Sequence, residues 1–278
     1  MPGLLCFVID GLHTETLASV RTPHLDRLGR RGASCRRLLA PPPALTLPAL
    51  TTLFTSLPPE EHGVQGTSAT GAVSPQAVNL LALLRYRQLR AAAFYQSDRL
   101  RPIFPPGCLH TGVLQSAEDI GNVDRDLGET AARHLQRDQP DFCLIVLQGP
   151  DIAAVHFGAD SEPYRESVEQ ADQVLGLLLE SLNFVGMGEE YTVLALGCPG
   201  HRPLPAGGVA MLPLAVAGPG IVAGVERQGP LSLLDLAPTM AALLGVDPHP
   251  DWRGQAVADL LPAPLPDLSV RPARELVH

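Results

Sequence analysis

Unbroken apolar runs and segments with helical spacing alternate along this chain. The runs Leu4 to Ile9, Phe142 to Leu147, Thr192 to Leu196 and Leu212 to Ala217 read as strands covered on both faces, since a half-solvated strand would alternate apolar with polar residues. Helical spacing recurs over Pro23 to Gly32, Leu47 to Ser56, Ala77 to Leu84, Leu127 to Arg137, Ser161 to Leu182 and Leu231 to Leu244. Strands alternating with helices predict an α/β fold, a three-layer sandwich around a mostly parallel central sheet. At Thr22-Pro23 a capping hydroxyl followed by proline predicts a helix start, and Gly32 its end. Gly218-Pro219-Gly220 marks a turn. Apart from its two helical segments, the stretch 65 to 139 is unreadable.

The chain has 278 residues, near the size at which a single core stops growing, so one domain is expected over 1–261. The tail 262–278, with prolines at 262, 264, 266 and 272, is expected to be irregular. No run approaches the roughly 20 apolar residues that a membrane span requires. The start lacks a basic leader and small-residue cleavage site, so a cytoplasmic protein is expected. Five cysteines fit a reducing compartment, with Cys6 and Cys143 inside apolar runs as buried thiols. A net charge of −9 disfavours nucleic-acid polymers. There is no lysine, so a phosphate ester would have to meet arginine or metal ions.

In parallel α/β sheets ligands bind at the carboxyl ends of strands, which is where Asp10 stands, just before Gly11. The same position suits a helix cap. Four segments decide the matter: Val8-Ile9-Asp10-Gly11, Thr22-Pro23-His24-Leu25-Asp26-Arg27-Leu28, Thr46-Leu47-Pro48-Ala49-Leu50-Thr51 and Pro59-Glu60-Glu61-His62-Gly63. In this order the chain resembles the type I phosphodiesterase and nucleotide pyrophosphatase branch of the alkaline-phosphatase superfamily. The resemblance implies that Asp10 ligates a metal and that Thr46 is the nucleophile and a ligand. His62 and Gly63 are read as shaping a turn. Pro140-Asp141-Phe142, then Asp151 and His156, are similar to the family's second block, where an Asp and a His bind one ion. Here five positions separate them, where the family has four. Tyr164 and Asp172 also match that block. Gly218-Pro219-Gly220-Ile221 and the segment from Leu234 to Gly245 resemble the family's closing block, in which Asp235 is read as a cap.

The pattern breaks where the family places S-D-H-G-M. This chain reads Gly197-Cys198-Pro199-Gly200-His201, without the Asp-His pair. A later histidine is replaced within Ala206-Gly207-Gly208. A two-ion site needs about six protein ligands, with ions about 3.5 to 4 Å apart. Cys198 and His201 are conceivable substitutes, each chemically able to bind zinc.

The resemblance therefore implies a phosphoester hydrolase, acting on a small phosphate ester with one or two zinc or manganese ions and a threonine nucleophile. The alternative is a catalytically degenerate relative that binds a ligand or regulates. A sulfatase is disfavoured, because its nucleophile lies in C/S-x-P-x-R, and a nicotinamide enzyme because no G-x-G-x-x-G follows the first strand.

Overall fold

A computed structural model describes residues 3–67, 73–116, 122–201 and 209–261. Its strands are β1 Gly3–Asp10, β2 Ala33–Ala40, β3 Ala91–Tyr95, β4 Thr111–Leu114, β5 Phe142–Leu147, β6 Tyr191–Cys198, β7 Ala210–Ala217, β8 Val225–Arg227 and β9 Leu231–Ser232. The helices are α1 Pro23–Arg31, α2 Thr46–Thr55, α3 Pro59–His62, α4 Leu80–Tyr86, α5 Val123–Asp138, α6 Gly149–Phe157, α7 Glu162–Phe184 and α8 Leu236–Leu243. The strands form one sheet in the order β4-β3-β5-β1-β6-β7-β2-β8, with β9 also on β2. Pairing is parallel from β4 through β6, and β7 runs antiparallel to both β6 and β2. The fold is the expected mostly parallel α/β sandwich. Among the described residues no helix is long and apolar enough to cross a membrane.

Strand β1 lies at the centre, between β5 and β6. Its alternation divides the core into two. Leu4, Cys6 and Val8 pack with Leu50, Phe54, Leu81 and Met240 of α2, α4 and α8. Leu5, Phe7 and Ile9 pack with Leu28, Leu135, Tyr164 and Leu175 of α1, α5 and α7. All six β1 side chains are fully buried, which is why the run is continuously apolar. Cys6 and Cys143 are buried free thiols on opposite faces, pushed up by burial, Cys6 to about 12.

Helix α1 starts at Pro23 as expected, but the Thr22 side chain does not cap it. Asp172 on α7 does so instead, its carboxylate accepting from Leu25 N at 2.8 Å and His24 N at 3.1 Å. A carboxylate reaches two of the free N–H groups and suits the positive end of the helix better than a hydroxyl. The segment Leu231 to Leu244 is also not one helix. It opens with β9 and a short 3₁₀ turn, and α8 covers only its second half. Asp235 closes a capping box with Ser232, the cap expected of it. The tail 262–278 and residues 202–208 lie outside the described residues.

Candidate functional site

Four neighbouring strands end at one rim of the sheet. Each delivers a polar residue there: β3 leads to Gln96, β5 to Gln148, β1 ends in Asp10 and β6 in Cys198. Asp10 and Cys198 are register partners. The chain turns away after Asp10 through Gly11, at φ +81°, where a Cβ would stand 2.8 Å from the Asp151 backbone. Only glycine allows α6 to start this close to β1. The turn is held by Tyr164, whose hydroxyl donates to Gly11 O at 2.8 Å.

Asp10 is fully buried. Thr46, the first residue of α2, donates its hydroxyl to that carboxylate, lying 3.0 Å from Oδ1 and 2.9 Å from Oδ2. Gln148 Nε2 donates to Oδ2 at 3.3 Å. Burial and then the neighbouring Asp151 charge push the Asp10 carboxyl up to about 7, against the two hydrogen bonds and His201, which favour its charged form. The Cys198 thiol is held well above its ordinary value by burial and then by Asp10, so it is a neutral thiol in this setting.

Asp151 is buried in the first turn of α6, and His201 covers its carboxylate. The His201 backbone N–H donates to Oδ1 at 2.6 Å, and its Nδ1 lies 2.6 Å from Oδ2. The hydrogen bond to Asp151 raises the His201 imidazole above its ordinary value. His156 does not join this pair. Five residues along a helix amount to a rise of about 7.5 Å and a turn of about 140°, which carries it to the exposed end of α6. At the family's spacing of four stands Val155, 60% exposed.

A cleft of about 420 Å³ opens over these groups, lined by Thr46, Gln96, Arg99, Gln148, Asp151, Val155, His156 and His201 among others. Gln96 and Gln148 were not among the residues singled out from the sequence, although their place just after buried strands was a usable signal. Gln96 Oε1 accepts from Gln148 N at 2.7 Å and Gln96 Nε2 donates to the buried Asp124 at 2.9 Å, so the rim is cross-braced. His62 is a buried structural residue. Its Nδ1 accepts from Val64 N and its Nε2 meets Thr52 Oγ1 at 3.1 Å, in the turn expected of it.

The donors among the described residues do not fit a two-ion centre. Among the described residues no group of three or more His, Cys, Asp or Glu side chains is arranged to hold a metal ion. Asp151 is engaged by His201 at both oxygens, and Asp10 is met by hydroxyl and amide donors.

The α/β sandwich and a family match over most of the chain make this an alkaline-phosphatase-superfamily protein. Residues 4–80 and 83–209 match the family described as "Type I phosphodiesterase / nucleotide pyrophosphatase", and the chain belongs to that family. It is similar to ectonucleotide pyrophosphatase/phosphodiesterase family member 3 of Bos taurus, with 25% identity over 66% of this chain and 23% of the relative. A second relative is an uncharacterised pyrophosphatase/phosphodiesterase of Schizosaccharomyces pombe, 24% identical over 70% of this chain and 44% of its own length. The chain thus spans less than half of either relative. In fold it matches a solved structure described as a 2-O GAG sulfatase, with a TM-score of 0.74 and 15% identity over 92% of this chain and 73% of that one.

Proposed function

We propose that the chain binds a small phosphate ester in this cleft and does not hydrolyse it by the two-ion route of its family. The observation that carries this reading is the engagement of Asp151: a carboxylate that the resemblance assigns to a metal is satisfied by His201 from the segment that lost the Asp-His pair. A ligand anion would meet Thr46 at the positive end of α2, Arg99 and the imidazole of His201, all lining the cleft. Five buried, unpaired cysteines support a reducing, cytoplasmic setting.

The test is turnover of bis-(p-nitrophenyl) phosphate with added zinc or manganese, beside Thr46→Ala, together with calorimetric binding of a phosphate monoester. Equal background rates in the two proteins, with saturable binding that weakens in Arg99→Ala, are expected. Zinc- or manganese-dependent turnover that requires Thr46 would overturn the reading.

A second reading, phosphoester hydrolysis with Thr46 as nucleophile, draws on the Thr46–Asp10 contact. In it Asp10 takes the hydroxyl proton as Oγ1 attacks phosphorus, the P–O bond to the leaving alcohol breaks and the departing oxygen takes a proton from solvent; water then cleaves the phosphothreonine, releasing phosphate and restoring Thr46. Turnover that requires both Thr46 and Asp10 and survives a chelator would support it.

A further inference from the structure

We propose that His201 is an internal stopper, which occupies both oxygens of Asp151 and thereby keeps the Asp10–Asp151 carboxylate pair from taking up a divalent cation. The inference goes beyond the binding reading, though it rests on the same site. Two buried carboxylates side by side ordinarily call for a cation or a proton, because each charge raises the cost of the other. Here the counter-group is built into the chain. Both Asp151 oxygens are used by a single residue, one through the main chain and one through the ring.

The segment that carries His201 is shaped for this contact. Cys198 is tied to β1 by register with Asp10, and His13 Nε2 donates to Pro199 O at 2.8 Å, which anchors the turn from below. Gly200 then adopts φ +70°, a conformation open to glycine, and any Cβ there would strike Asp151 Oδ1. The backbone therefore approaches the carboxylate closely enough for the His201 N–H to bond it, and the imidazole follows. The ring is half-buried rather than sealed, lying at the cleft wall, where a departing side chain has somewhere to go.

A cation could reach Oδ2 only by displacing the imidazole and breaking its short hydrogen bond, while the main-chain bond to Oδ1 remains whatever residue stands at 201. Removing the ring should therefore open the pair. We would titrate zinc chloride and manganese chloride into wild type, His201→Ala, His201→Gln and the double variant His201→Ala/Asp151→Asn, reading bound metal by elemental analysis and Tm by thermal unfolding. H201A should bind at least about tenfold more tightly than wild type and gain Tm on metal addition. The gain should vanish in the double variant, and H201Q, which restores a donor at Oδ2, should bind as weakly as wild type. H201Q also serves as the folded control should H201A lose structure.

Wild type binding as tightly as H201A would overturn the proposal, and so would binding that persists without the Asp151 carboxylate. Failure of H201A and wild type alike to bind would overturn it too, since the pair would then be incompetent without any stopper. These outcomes are separate from the hydrolysis assay. Metal uptake by wild type without Thr46-dependent turnover would sink the stopper and leave the binding reading standing.

Discussion

Replacing Asp10 by asparagine should stabilise the protein at alkaline pH and do little in acid. Asp10 is fully buried, and its carboxyl is pushed from 3.8 to about 7. Below about pH 4 folded and unfolded chains both hold this proton. Between those values the folded chain keeps a proton that the unfolded chain has released, so stability falls as pH rises, and the loss is complete above about pH 7. Such a difference corresponds to about 4 kcal/mol when the group is fully ionised. The amide of the Asp10→Asn variant cannot ionise, keeps the size of the carboxyl, and can still accept from Thr46 and Gln148. Urea unfolding at pH 4.5 and pH 8, in the presence of a chelator, gives the difference between variant and wild type at each pH. That difference should move in favour of the variant by at least about 2 kcal/mol at pH 8. A difference that is flat with pH, or that favours wild type at pH 8, would refute the reasoning, since it would mean that the native site uses the charge.

Three further outcomes follow from the same geometry. Burial lowers His62 to about 4, so the unfolded chain takes up a proton first as pH falls below about 6.5; that loss of acid stability, roughly 3 kcal/mol, should be absent from the pH profile of His62→Gln unfolding. Gly200→Ala should cost about 1–3 kcal/mol by chemical denaturation and abolish ligand binding, because its φ is positive and its new methyl strikes Asp151. Asp172→Ala should cost about 1–2 kcal/mol, while Asp172→Asn, which can still accept from Leu25 N, should recover most of it in the same assay.

The central strands were legible because burial on both faces leaves no polar interruption, as in Leu4 to Ile9 and Phe142 to Leu147. Strand β2 was not, because a register shift between Cys35 and Leu38 turns Arg36 and Arg37 outward and breaks the alternation. Strand β3 begins Ala91-Ala92-Ala93, which has no strand preference of its own and is held by β4 and β5. Helix α6 opens Gly149-Pro150 and lacks a clear apolar stripe. In the site, Asp10 and Thr46 could be read together from linear motifs. The Asp151–His201 pairing could not, since it joins residues 50 positions apart through a glycine turn that replaces the family's own motif. His156 could be placed by linear spacing alone; with one extra residue in the helix it stands apart from the Asp151–His201 pair while still lining the cleft.

The position of β1 also sets a timetable for synthesis. Both strands that flank it, Phe142–Leu147 and Tyr191–Cys198, are made more than 130 residues after it. At about 5–20 residues per second the nascent chain carries this uncovered apolar strand for roughly 10–40 s before β6 is available. During that interval Leu4 to Ile9 is a sticky, unpaired edge. The cleft inherits the same delay: Asp10 and Thr46 are translated long before Cys198 and have no floor until it arrives. Co-translational chaperone contact with β1 is the natural consequence of placing it at the middle of the sheet, ahead of both its partners.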